Sequence, residues 1–163
     1  MPHDYWPPSR PLPGRNEILG FAERTRRNLD FIRSAYEQGN RDVHLVTQAV
    51  VSLLGIVVFP YEQYFKMVSL NHKLSDLEAA GWPHWSQTGW QATDLRHLLR
   101  RIRNATAHSG ITFSSDSAQA VEVRIAFDCY FEEENRDWQG EIAADKLLEF
   151  CERFLRYVDD YVG

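Results

Sequence analysis

The residues of this chain best suited to chemistry stand together in Arg103-Asn104-Ala105-Thr106-Ala107-His108. A guanidinium can clamp a phosphate through two parallel hydrogen bonds, and an imidazole, which titrates near neutral pH, can take or give a proton. Arginine and histidine in reach of one phosphodiester therefore supply the kinds of group that RNA transesterification needs, and that reaction requires no metal. Asn104, lying between them, is placed to orient the pair.

The neighbourhood carries the same bias. Between Arg96 and His108 there are four arginines (Arg96, Arg100, Arg101, Arg103), two histidines (His97, His108) and no acidic residue. The whole chain has a net charge of −5, so attraction to phosphate must come from this local concentration and not from the global field. His97, Arg100 and Arg101 are the expected RNA contacts beside the catalytic set Arg103, Asn104 and His108. The competing account of these three is a solvated basic face, or pairing with the run Glu132-Glu133-Glu134.

A helix must hold these residues. From Thr93 or Asp94 to about His108, Leu95, Leu98, Leu99, Ile102, Ala105 and Thr106 recur at helical spacing, behind a capping residue type and ahead of Ser109-Gly110. At about 100° per residue, His97, Arg101, Asn104 and His108 fall within roughly 60° of one another, opposite the apolar face. Arg103 points elsewhere, about 140° from His108 on a regular helix. One undistorted helix cannot easily aim both at one phosphate. A two-fold pair of chains sharing a cleft could, and so could a deformed helix end near His108.

The remaining elements read as a helical bundle. Ile18, Ala22, Thr25, Leu29, Ile32 and Tyr36 mark a first helix that stops at Gly39-Asn40. A second, from about Arg41, carries Val43, Val46, Val50, Leu53 and Val57 on one face, with Val51, Leu54, Ile56, Val58 and Phe59 widening it into the central buried helix. Pro60 ends or kinks it before Tyr61 to Phe65 add a further turn or two. A short helix is expected near Leu74 to Ala80, followed by an irregular loop with Trp82, Trp85 and Trp90, read as packing residues rather than base-stacking platforms. Ile111 to Phe113 and the alternation Val121, Val123, Ile125, Phe127 form a β-hairpin pattern, and Asp145 to Tyr161 a last helix. The fold class is thus mainly α: a bundle of four to five helices with a small β-hairpin before the C-terminal helix. Residues 1–14, holding Pro2, Pro7, Pro8, Pro11 and Pro13 with Tyr5 and Trp6, form an extended arm, and 15–163 a single domain.

Composition narrows the class. At 163 residues the chain holds one domain. With 44% hydrophobic and 25% charged residues, and a longest apolar run, Ala49 to Phe59, well short of the roughly 20 residues a bilayer needs, it reads as soluble, without a membrane role. No basic stretch followed by an apolar segment opens it, which makes the cytoplasm the expected location. Cys129 and Cys151 lack the paired spacing of a zinc site and read as reduced core thiols. No metal and no cofactor are expected. Thr47 and Gln48, polar on the central helix, read as an internal hydrogen-bonding element.

Arg103-Asn104-x-x-x-His108 resembles the R-x4-6-H signature of the HEPN superfamily, including the polar residue after the arginine. The likeness extends through Val46-Thr47-Gln48, Ser52 to Gly55, Val58-Phe59-Pro60, Glu62, Leu99 to Ala105 and Phe113, over roughly residues 16 to 160. The resemblance implies an all-helical bundle, a homodimer that brings two motifs together, and a metal-independent endoribonuclease of toxin or phage-defence type leaving a 2′,3′-cyclic phosphate. RNA and a cognate antitoxin protein would be its partners. In that reading Arg103 neutralises the scissile phosphate, His108 acts as general acid or base, and Asn104 orients them. The alternative from the same resemblance is a catalytically inactive HEPN module that binds RNA, nucleotide or protein within a toxin–antitoxin or defence system. A metal or small-molecule enzyme ranks last, because HExxH, Glu-x-x-His repeats and GxxxxGK[ST] are absent.

Overall fold

The computed structural model describes residues 15–63 and 70–162. The Pro-rich arm and the Tyr64-Phe65 end of the expected helical turns lie outside them, as do the side chains of Ile18 and Tyr161. Helix α1 spans Arg15–Glu37 and buries Ala22 and Leu29, as its spacing predicts. It stops where Gly39 takes φ +89°, with the Asn40 amide bonded to the Ala35 carbonyl at 3.0 Å.

The central helix starts later than its apolar pattern suggests. The Asn40 side chain accepts from the Asp42 amide at 2.9 Å, holding a turn, and α2 begins only at Leu45 (Leu45–Ser52). A π-helical stretch, Leu53–Val58, follows and runs into α3, Phe59–Gln63. The Phe59 amide bonds to Leu54 O, five residues back. Widened turns of this kind suit a sequence in which Pro60 supplies no N–H and would clash with the carbonyl one turn before it. Pro60 therefore does not end the helix.

The buried face of this run is Leu45, Gln48, Ala49, Ser52, Leu53, Ile56 and Val57, whereas Val51 and Leu54 stand in solvent. Gln48 donates to Ser52 Oγ at 3.1 Å, so that polar pair is satisfied internally, while Thr47 is exposed. At Gly55 a Cβ would come within 2.7 Å of Thr25 Oγ1, which shows how closely α1 approaches. Leu45–Glu62 is long and apolar enough to cross a membrane by length and composition, but in this fold it packs against α1 and the last helix as the core helix.

Helix α4 (Leu74–Ala79), helix α5 (Leu95–Ala107) and helix α6 (Ala144–Val162) complete the helical layer. The β component is larger than a hairpin. Strands β1 (Ser86–Gly89), β2 (Ile111–Phe113), β3 (Arg124–Phe131) and β4 (Arg136–Ala143) form one antiparallel sheet in the order β1-β4-β3-β2. The expected pairing of β2 with β3 is present, with Ile111 opposite Phe127 and Phe113 opposite Ile125. Val121 does not continue it; the chain turns through a 3-10 helix there and leaves Val121 exposed.

The two additional strands had little to announce them. β1 is Ser-Gln-Thr-Gly and carries no apolar residue. In β4, Trp138, Gly140 and Ile142 alternate inward, but Gly140 adds no apolar signal because the Trp138 ring occupies the space of its missing side chain. The sheet buries Ile125, Phe127, Trp138 and Ile142, with α5 packed on β3 and α6 on β4. The three loop tryptophans are packing residues. Trp85 is buried between Phe127 and Phe150, Trp82 lies edge-on to Phe150 and Tyr157, and Trp90 lies edge-on to Phe131.

Candidate active site

Helix α5 is fixed at both ends. Asp94, in extended conformation, caps it by accepting from the His97 amide at 2.8 Å, and the His97 ring sits 3.3 Å from the other carboxylate oxygen. Asp94→Ala is expected to cost about 1 kcal/mol and to lower Tm by about 2–4 °C in a thermal melt.

At the other end the Gly110 amide bonds to Ala105 O at 2.8 Å and the Ser109 amide to Thr106 O at 3.5 Å, with Ser109 left-handed at φ 57°. This paired reverse bonding closes the helix, and it leaves His108 as the cap residue with φ −109° and ψ 19°. The helix end is thus deformed at His108, one of the two arrangements that could bring its ring toward Arg103. Gly110 then ties this end to the sheet, since its carbonyl accepts from the Asp128 amide at 2.7 Å.

Arg103 is held from two sides. Its Nε lies 2.8 Å from Glu62 Oε1 on α3, and its Nη1 donates to Asn104 Oδ1 at 3.0 Å. Two clefts meet at Arg100, Arg103 and Asn104. The first, of about 360 Å³, adds Tyr61, Glu62, Arg96 and His97. The second, of about 650 Å³, adds His108, Cys129 and the turn Glu132 to Glu134. One cleft of one chain is thus lined by Arg103, Asn104 and His108 together.

Of the expected RNA contacts, His97 and Arg100 stand exposed at the cleft. Arg101 does not join them. It is 3% exposed, its Nε donates to Trp90 O at 2.9 Å, and its guanidinium lies 4.5 Å from the Trp90 ring centre and 5.8 Å from that of Phe131. Burial lowers its pKa, while the carbonyl and the ring faces compensate the charge. The polar stripe expected on α5 is therefore split, because the β1–α5 loop and β3 cover one side that a helical wheel leaves to solvent.

Tyr61 and Glu62 escaped the sequence reading, and Arg96 was counted in the basic cluster but not among the expected RNA contacts. Arg96 precedes Arg100 by four and Arg103 by seven, a spacing that places all three on one face and could have revealed it. Tyr61 and Glu62 come from a different helix, so no local pattern links them to Arg103. Burial raises the Tyr61 pKa, keeping the phenol a neutral hydrogen-bonding group beside the arginines. Cys129 is pushed up to about 11 by burial, so it stays a thiol at neutral pH and is a poor nucleophile. Both cysteines are free, and no cluster of metal-ligating side chains exists among the described residues.

The far wall of the second cleft is acidic. Glu132 to Glu134 form a 3-10 turn closed by left-handed Asn135, and Glu134 Oε1 lies 3.7 Å from Arg100 Nη2. These carboxylates oppose phosphate in the same space that Arg100 and Arg103 favour. Replacing all three by glutamine is expected to tighten RNA binding about fivefold to tenfold at low ionic strength, with the gain shrinking as salt screens the charges. A fluorescence-anisotropy salt series would measure it; unchanged affinity at low salt would count against any phosphate path near the turn.

A helical bundle with an arginine-rich helix, an Arg-Asn-x-x-x-His end and an added sheet defines a nuclease or nucleotide-binding module of the HEPN type. The chain belongs to the HEPN superfamily: the model of the HEPN pEK499 p136 family matches residues 8–163, nearly its whole length. No curated protein and no solved structure matches it.

Proposed function

We propose that this protein is a metal-independent endoribonuclease of toxin or phage-defence type, active as a homodimer that brings two clefts together in the cytoplasm under control of a cognate antitoxin protein. The observation that carries this reading is the convergence of Arg103, Asn104 and His108 on one cleft. Arg103, held by Asn104, neutralises the scissile phosphate. The ribose 2′-oxygen attacks phosphorus, the 5′-oxygen leaves, and the product is a 2′,3′-cyclic phosphate. His108 moves a proton, from the 2′-hydroxyl as base or to the 5′-oxygen as acid, and water completes the balance. Arg96 and Arg100, with His97, line the route by which flanking phosphates approach. The dimer rests on the family likeness rather than on any contact in the fold.

A second reading draws on the same site. The Glu62–Arg103 ion pair and the acidic turn suit a non-catalytic module that recognises RNA, nucleotide or protein without cutting. Incubating the purified protein with structured and single-stranded RNAs in chelator separates the two. Fragments ending in 2′,3′-cyclic phosphate are expected; no cleavage across a broad RNA panel would favour the binding module. Light scattering at micromolar concentration is expected to give the mass of a dimer.

A further inference from the structure

We propose that Glu62 is a positioning residue for Arg103: it holds the guanidinium from the Nε side so that the Nη2 end is presented to the cleft. The inference rests on the ribonuclease reading only for the ligand, a phosphodiester; the positioning itself is a property of the protein.

The geometry is that of a two-sided holder. Glu62 Oε1 stands 2.8 Å from Nε, and Asn104 Oδ1 takes a hydrogen from Nη1 at 3.0 Å. An ion-pair contact at Nε and a hydrogen bond from Nη1 restrain from two sides a side chain that otherwise has several free torsions, so Arg103 meets a phosphate already partly ordered. The Nη2 hydrogens are left for the ligand, because neither side-chain contact of Arg103 among the described residues engages Nη2.

Glu62 is itself held in place. Its neighbours Pro60 and Tyr61 are buried, which fixes α3 against the core and gives the carboxylate little room to wander. The other arginines of the cleft lack this arrangement. Arg100 has its nearest carboxylate at 3.7 Å, and Arg96 has no ion pair among the described residues. The cleft thus combines cations without a close carboxylate partner, suited to gathering phosphates, with one cation held by a carboxylate and an amide, suited to the reacting phosphate.

A role in stability alone makes a different prediction. Both partners are partly exposed, at 28% for Glu62 and 38% for Arg103, and ion pairs of that kind contribute little to folding. Glu62→Ala should therefore leave Tm nearly unchanged while freeing the guanidinium.

The test reads Arg103 directly. In nitrogen-15 relaxation measurements on the full chain, the Arg103 Nε–Hε vector, assigned by its loss in Arg103→Lys, is expected to be ordered, and to gain fast motion in Glu62→Ala and in Glu62→Gln, which both remove the charge that holds the guanidinium. In cleavage assays both variants should lower kcat by about tenfold to a hundredfold with little change in KM. A vector equally ordered in both variants would overturn the proposal, as would losses in kcat that simply follow Tm. If the wild type cuts no RNA, the ribonuclease reading fails while the relaxation measurement still decides the positioning.

Discussion

Replacing Arg103 or His108 by alanine is expected to reduce RNA cleavage by about 10²- to 10⁴-fold, the range over which a positioned acid–base group acts. His108 is exposed at the helix cap and supports no packing, so His108→Ala should melt like the wild type and bind RNA nearly as well, losing kcat rather than KM. Arg103→Ala should lose both, since it removes a phosphate contact as well as charge neutralisation. Mixing the two inactive variants adds a test of how the copies cooperate. If the working site takes Arg103 from one chain and His108 from its partner, each mixed dimer regains one intact site, and exchange restores about a quarter of wild-type activity. A mixture that stays inactive would mean that the single-chain cleft is complete in itself. Equal cleavage by the wild type and both variants would remove the Arg103–His108 mechanism altogether.

The second large effect is expected at Gly110→Ala. A Cβ at this position would fall inside the van der Waals shell of the Asp128 carbonyl oxygen, a backbone atom that cannot swing aside. Relief requires parting the α5 end from β3, and with it the bond from the Asp128 amide to the Gly110 carbonyl. The cost is expected at about 3 kcal/mol or more, seen as a Tm lowered by roughly 6–12 °C. Because Gly110 also closes the helix behind His108, variant protein that stays folded should cleave more slowly than its folded fraction explains. A melt within a degree of the wild type would show that this contact is looser than the geometry indicates.

The helices were legible where burial follows a single face. In α1, α5 and α6 one side meets the core, so Leu29, Ile102 and Phe154 recur at the spacing that the fold uses. Both boundaries of α5 were equally plain, because Asp94 and Ser109-Gly110 act through local backbone bonds that sequence can state. The sheet was harder. β1 is an edge strand without apolar residues, and the inward run of β4 passes through a glycine covered by its own neighbour Trp138. Arg101 misled for a related reason: a charged residue on an arginine-rich helix reads as solvent-facing, yet a carbonyl and two aromatic rings make its burial tolerable. The candidate trio Arg103, Asn104 and His108 was visible because it is local. Glu62 was not, because its link to Arg103 joins two helices at positions forty-one apart, 103 − 62.

The π-helical stretch from Leu53 to Val58 acts as a phase adjuster. Bonds that reach five residues back instead of four accommodate an extra residue in the run, and each residue of a regular helix turns the chain by about 100°. Everything after Val58 is therefore rotated relative to the direction that an uninterrupted α-helix would impose. Shortening the stretch by one residue would leave the core helix apolar and nearly as long, yet turn the Glu62 carboxylate away from Arg103. The aim of the site is set, in part, by a counting irregularity that ends about one turn upstream of Glu62, within the segment whose Gly55 lets α1 pack closely.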